Sequence, residues 1–147
     1  MYAEKRFIMK KKGKALITGS TSGIGLALTK KLVQEGYDLI LVASDPERLE
    51  QEKKAIRKWM PDCQVSVYAK DLSQSGAAEE LYTAVKQDGH RIHFLVNNAG
   101  FGMVGSAEKM DFTREREMLQ LLMITPVELC KLCLREMYET GDGVILN

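Results

Sequence analysis

The sequence has only three prolines, one tryptophan and three cysteines, almost no net charge, and no apolar run approaching the length that crosses a bilayer. Each scarcity excludes something. A spanning helix needs about 20 consecutive apolar residues, so no membrane protein of that kind is expected. The 21 basic and 20 acidic side chains leave a net charge of +1. No global field therefore draws in nucleic acid or an anionic membrane, and an anionic ligand has to be held locally. Cys63, Cys130 and Cys133 are odd in number, lack the spacing of a disulfide framework and follow no secretory signal pattern. A reducing cytoplasm is the expected setting. With 45% hydrophobic and 28% charged residues over 147 positions, the chain suits one globular core, and not a disordered, collagen-like or disulfide-stapled protein.

What is present begins with a basic segment. Lys5, Arg6, Lys10, Lys11, Lys12 and Lys14 share residues 1–14 with a single acid and a short patch of Phe7, Ile8 and Met9. The patch is too short for a secretory core, and the segment reads as a solvated, poorly ordered tail ahead of a folded domain at 15–147. Unbroken apolar runs at 15–18, 39–43 and 93–97, an alternating run at 64–68 and a final run at 143–147 predict five strands. Between them, helices are predicted after the first glycine-rich turn, where Ile24, Leu28, Leu32 and Val33 recur at helical spacing, from Asp45-Pro46 to before Pro61, carrying Leu49, Ile56 and Trp59 among many charges, at 75–88, and at 113–140. Gly36, Gly89 and Gly141 punctuate their ends. Such alternation implies an α/β fold of Rossmann type, a doubly wound parallel sheet that is incomplete because the sequence stops in its fifth strand.

Thr18-Gly19-Ser20-Thr21-Ser22-Gly23-Ile24-Gly25 joins the first strand to the first helix, at the sheet edge where open α/β folds bind ligands. Glycines let the backbone approach a phosphate, and the helix amino end offers free N–H groups and partial positive charge. Asp71-Leu72 follows the third strand and Asn97-Asn98-Ala99-Gly100 the fourth. Taken alone, Asp71 also suits a turn and the asparagines suit loop hydrogen bonding.

With T-G-x-x-x-G-[IL]-G, the aspartate and N-N-A-G in this order, residues 14–147 resemble the short-chain dehydrogenase/reductase family, specifically its single-domain branch. The resemblance implies NAD or NADP as cofactor and hydride transfer between nicotinamide and a carbonyl or hydroxyl substrate. It implies that Gly19, Gly23, Ile24 and Gly25 line the dinucleotide phosphates together with the intervening Ser20, Thr21 and Ser22. Asp71 and Leu72 would then lie beside adenine and Asn98, Ala99 and Gly100 beside the adenosine ribose, while Asn97 braces the sheet. Ser44 and Asp45 occupy the region that sets cofactor preference. Asp45 stands 20 residues after Gly25, where a carboxylate can bond a ribose 2′-hydroxyl; it equally suits a helix cap before Pro46. Ser20, Thr21 and Ser44, with Arg48, can instead donate to a 2′-phosphate, and NAD against NADP stays open.

The family's catalytic serine follows the fifth strand and its Tyr/Lys pair lies on the next helix, beyond residue 147. No catalytic residue is therefore assigned, and the 147 residues are expected to be a catalytically incomplete, cofactor-binding amino-terminal portion. The string Tyr82-Thr83-Ala84-Val85-Lys86 has the family's Y-x-x-x-K spacing but precedes Asn97 on a helix running away from the nicotinamide side, and is read as coincidence. Leu122 falls where the family often has a relay asparagine. Cys130 and Cys133 fall on a helix with Leu129, Leu132 and Met137, so packed thiols are expected rather than zinc, and His90 and His93 flank a strand start. Two other classes stand beside the enzyme: a non-catalytic dinucleotide-binding module, and an interaction subunit pairing through the last helix. An open fifth strand and the leucines at 121, 122, 129 and 132 predict a homo-oligomer. The substrate is not legible.

Overall fold

The computed structural model describes residues 11–147. Five parallel strands lie in the order β3-β2-β1-β4-β5: β1 Gly13–Thr18, β2 Tyr37–Ala43, β3 Val65–Ala69, β4 Phe94–Val96 and β5 Val144–Leu146. The helices are α1 Gly23–Gln34, α2 Pro46–Trp59, α3 Ala77–Gln87, α4 Phe112–Leu119 and α5 Thr125–Thr140. This is the expected Rossmann-like sheet. Alternation along the strands divides the core in two. Leu16, Ile40, Val42 and Leu95 face α3 and α5, packing on Leu81, Val85, Leu129 and Cys133. Ala15, Ile17, Leu39 and Leu41 face α1 and α2, packing on Leu32, Val33, Leu49 and Ile56. Because side chains of a strand alternate, one apolar run serves both layers. No helix among the described residues is long and apolar enough to cross a membrane.

β1 begins at Gly13, two residues before the predicted start at Ala15. Its approach is anchored: Lys11 Nζ meets Asp38 Oδ1 at 2.6 Å, and Lys12 Nζ meets Glu35 Oε2 at 2.9 Å. Residues 1–10 of the expected basic tail lie outside the described residues. Not every apolar residue of the helical pattern is buried, since Ile24 is 74% and Trp59 47% exposed.

The last predicted helix is not continuous. α4 passes into a π-helical turn, Gln120–Ile124, before α5. Pro126 is the cause: it has no N–H to return to the carbonyl four residues back, and its ring crowds that carbonyl. The wider turn is closed by the Thr125 N–H bonding back to Gln120 O. Buried Thr125 then fixes the start of α5, its hydroxyl donating to Leu72 O at 2.8 Å. The chain winds outward from β1 to β3 and returns to the other side at β4, so the switch point lies between the carboxyl ends of β1 and β4.

Candidate functional site

At that edge the loops after β1, β2, β3 and β4 enclose a cleft of about 380 Å³. Of the residues singled out from sequence, Gly19, Thr21, Ser22, Ser44, Asp45, Arg48, Asp71, Leu72, Ala99 and Gly100 line it. Ser20, Gly23, Ile24, Gly25 and Asn98 do not form its wall; most of them shape the turn from behind. Thr18 Oγ1 accepts from the N–H groups of Asn98 and Ala99, both at 3.0 Å, and donates to Val96 O. Asn98 returns the contact, its Nδ2 donating to Thr18 O at 3.0 Å and Gly19 O at 3.1 Å. A Cβ on Gly25 would collide with the Gly19 carbonyl and lie 2.5 Å from Asn98 Nδ2. The turn and the N-N-A-G segment are thus one interlocked unit, held by the bonds between Thr18, Gly19, Asn98 and Ala99.

Ser20 corrects the expectation that the turn's three hydroxyls all serve a ligand. It is fully buried and donates to Glu52 Oε2 at 3.3 Å, away from the cleft. Ile24 is likewise solvent-facing instead of lining the cleft. A Cβ on Gly23 meets no protein atom within 4 Å, so within the chain itself this glycine answers a φ of +50°. Asn97 braces the sheet end, donating from Nδ2 to Asn147 Oδ1 at 2.8 Å and to Cys130 Sγ at 3.4 Å.

The two acids have structural duties. Asp45 Oδ1 accepts from the N–H groups of Glu47 and Arg48 at 3.0 and 3.1 Å, capping α2, while Oδ2 lies 3.4 Å from Arg48 Nε. Asp71 closes its turn through Ser73 Oγ and N and Gln74 Nε2. The Ser73 hydroxyl, then its backbone N–H, Gln74 and the Arg114 charge hold the Asp71 carboxyl below its usual range, against partial burial.

Sequence patterns missed part of the wall: Lys70, Ser73, Phe101, Arg114 and Leu121. Lys70 and Phe101 adjoin recognised motifs, and extending those motifs by one residue finds them. Arg114 carries no local signal, and Leu121, expected from sequence on an association face, belongs to the cleft wall. Arg114 reaches the cleft from α4, its guanidinium 3.9 Å from the Phe101 ring centre and bonded to Glu117. The π turn delivers Leu121 to the wall, and Leu122 Cδ2 would lie 2.7 Å from a Cβ on Gly100. Leu122 is thus an apolar side chain packed beside Gly100. With Arg48, Lys70 and Arg114 against Asp45 and Asp71, the cleft combines cations, hydroxyls and backbone donors with the apolar Leu72, Phe101 and Leu121. That set fits a nucleotide with phosphate groups.

The remaining motifs lie elsewhere. Tyr82 packs on the core beside α3 and α5, where burial raises its pKa, and Lys86 Nζ is held by both Glu136 oxygens at 2.8 and 2.9 Å. Cys133 is buried and its thiol is pushed up to about 12 by desolvation. His90 Nε2 lies 2.9 Å from Ser66 Oγ, and His93 Nδ1 accepts from Lys14 N at 3.0 Å, so both serve sheet edges. Among the described residues no three His, Cys, Asp or Glu side chains gather as metal ligands.

Residues 13–147 match the family described as short chain dehydrogenase. The chain is 28% identical over 141 residues to a 3alpha-hydroxysteroid dehydrogenase of Mediterraneibacter gnavus, with 96% of this chain and 56% of that protein covered. It spans about half the length of such relatives. Its fold superposes on the bulky-bulky ketone specific alcohol dehydrogenase of Comamonas testosteroni with a TM-score of 0.84 at 27% identity, covering 92% of this chain and 54% of that one. The L-sorbose reductase of Gluconobacter frateurii, solved with NADPH and L-sorbose, gives 0.83 at 27% identity over 92% of this chain and 51% of that one. A phosphate-type turn locked to N-N-A-G at the switch point of a parallel sheet, together with a family match over 13–147, establishes that the chain belongs to the short-chain dehydrogenase family.

Proposed function

We propose that these residues form the dinucleotide-binding half of an oxidoreductase that uses NADP(H) to interconvert a carbonyl and a hydroxyl. One observation carries the cofactor preference: both Asp45 oxygens are engaged by the α2 amino end and Arg48, so the acid is a cap and Arg48 is held at the cleft rim beside Ser44. A 2′-phosphate meets a guanidinium and hydroxyls there instead of a free carboxylate. When bound, the nicotinamide supplies or accepts the hydride. The chain's own part is to hold the pyrophosphate on the turn at the α1 amino end and the adenine against Leu72 and Leu121.

Two variants separate the duties. Arg48→Ala is expected to weaken NADPH about tenfold while leaving NADH nearly unchanged, the loss of one charge-assisted hydrogen bond at roughly 1.5 kcal/mol. Asp45→Ala is expected to lower stability by about 1 kcal/mol through the lost cap, with little change in the NADPH to NADH ratio. Calorimetric titration and thermal unfolding measure both. A ratio that moves toward NADPH in Asp45→Ala would return the acid to the ribose.

Association is the second element of this reading. Met123, Val127, Leu134 and Tyr138 are exposed along the π turn and α5, and Val144 and Leu146 are exposed on the edge strand β5. Such a face and edge pair with another copy or with further chain. Light scattering of the 147-residue chain at micromolar concentration should give a mass of at least a dimer; a monodisperse monomer contradicts it. Taken with the free, unreactive thiols of Cys63 and Cys133, pushed up to about 11 and 12 by burial, the cytoplasm is the proposed location.

A further inference from the structure

A groove of about 750 Å³ runs between α1 and α2 and shares Thr21 and Arg48 with the dinucleotide cleft. Glu52 stands in it, yet only 8% of the residue is exposed. Its Oε2 accepts from Ser20, the buried hydroxyl of the phosphate turn, at 3.3 Å. Its Oε1 is buried without a partner. An ionised carboxylate in that position is costly, because one oxygen has lost water and gained no donor. The surrounding charges do not neutralise it. Lys30 on α1 makes no ion pair with it and acts only as a charge that follows burial, Ser20 and Thr29 in influence, and Arg48 on α2 is turned toward Asp45. No histidine lines the groove.

We propose that Glu52 takes up a proton when an anion occupies the phosphate turn, so that dinucleotide binding and protonation of this carboxyl are linked. The inference rests on the cleft being a dinucleotide site. A phosphate on the turn places negative charge on the far side of Ser20 from Glu52, across a protein wall of low dielectric. Like charge on both sides of the turn disfavours the ionised carboxyl, and a proton from solvent removes the conflict. Burial already holds this carboxyl up at about 7. The free protein at neutral pH is therefore a mixture of both forms, and binding shifts it toward the protonated one. Affinity is then highest below that value and declines as pH rises through it.

Calorimetry of NADP⁺ binding at pH 7 in two buffers of different ionisation enthalpy counts the protons. The 2′-phosphate titrates nearby, so Glu52→Gln, which keeps the volume and an oxygen for Ser20, provides the reference. The native chain is expected to take up more protons than Glu52→Gln, and its affinity to fall about three- to tenfold further between pH 6 and pH 8. Equal proton counts with parallel pH profiles overturn the linkage while leaving the site intact. Absence of NADP⁺ binding by both proteins at every pH overturns the cleft assignment and the linkage together. Stability gives an independent readout. Because the folded carboxyl sits above its ordinary 4.5, its contribution is fully present below about pH 4.5 and lost as pH rises through about 7. Glu52→Gln is therefore expected to unfold at a higher temperature than the native chain at pH 8, with the difference closing toward pH 5. No difference at pH 8 contradicts a buried, proton-sensitive Glu52.

Discussion

The isolated 147-residue chain is expected to show no dehydrogenase or reductase turnover above the no-enzyme background, with either nicotinamide dinucleotide and a broad carbonyl panel. The missing element is proton transfer. A positioned general acid/base contributes roughly 10²- to 10⁴-fold, and among the described residues the titratable side chains of the cleft wall are committed elsewhere: Asp45 caps α2, Asp71 closes its turn, Lys70 bonds Glu80, and Arg48 and Arg114 pair with Asp45 and Glu117. Tyr82 has the right spacing to Lys86 but the wrong place, packed on the α3 and α5 side of the core and absent from the cleft wall. Its environment also works against catalysis, since burial raises the phenol pKa and Glu136 engages the lysine that would have to lower it. Leu122 covers Gly100 without any proton-carrying group. Spectrophotometric assays at 340 nm are the check. Turnover that disappears in Tyr82→Phe would show that the string on α3 is catalytic after all.

The second large effect is expected at Gly25. Adding one methyl there drives into the Gly19 carbonyl and the Asn98 amide, both of which belong to the lock between the phosphate turn and N-N-A-G. Overpacking of this kind costs about 1–3 kcal/mol when neighbours can shift. Here the neighbour is backbone, and its shift moves the turn that faces the ligand. Gly25→Ala is therefore expected to lower the unfolding midpoint and to weaken dinucleotide binding by well over tenfold. Gly23→Ala serves as the contrast in the free chain: its Cβ meets no protein atom within 4 Å and carries only the strain of a positive φ, about 1–2 kcal/mol. Thermal melts of the two variants without ligand decide the matter, and equal losses of stability would mean that the collision at Gly25 is relieved without moving the turn.

The strands and most of the helices were legible because buried parallel strands read as apolar runs, and because Asp45-Pro46 and Pro61 delimit α2. The π turn was hidden, since its residues keep a helical apolar pattern; Pro126 was the available signal and its consequence lies in the geometry of Gln120–Ile124. At the site, sequence reasoning located ten of the cleft residues, but it treated Ser20, Thr21 and Ser22 as equivalent. Only the backbone path decides that Ser20 turns inward to Glu52 while Thr21 and Ser22 face the cleft. Arg114 was beyond sequence reasoning for a similar reason, because α4 brings it across from a distant part of the chain.

The central claim is that the cleft between the ends of β1, β2, β3 and β4 binds a dinucleotide. Titration of the isotope-labelled chain with NADPH, followed through backbone amide chemical shifts, tests it most directly. The account predicts saturable shifts concentrated at Thr21, Ser22, Ser44, Asp71, Leu72, Ala99 and Gly100, with Gln34 and Trp59 at the far end of the groove unaffected. Shifts confined to the groove around Trp59, or no saturable shift at millimolar NADPH in a folded chain, would contradict it.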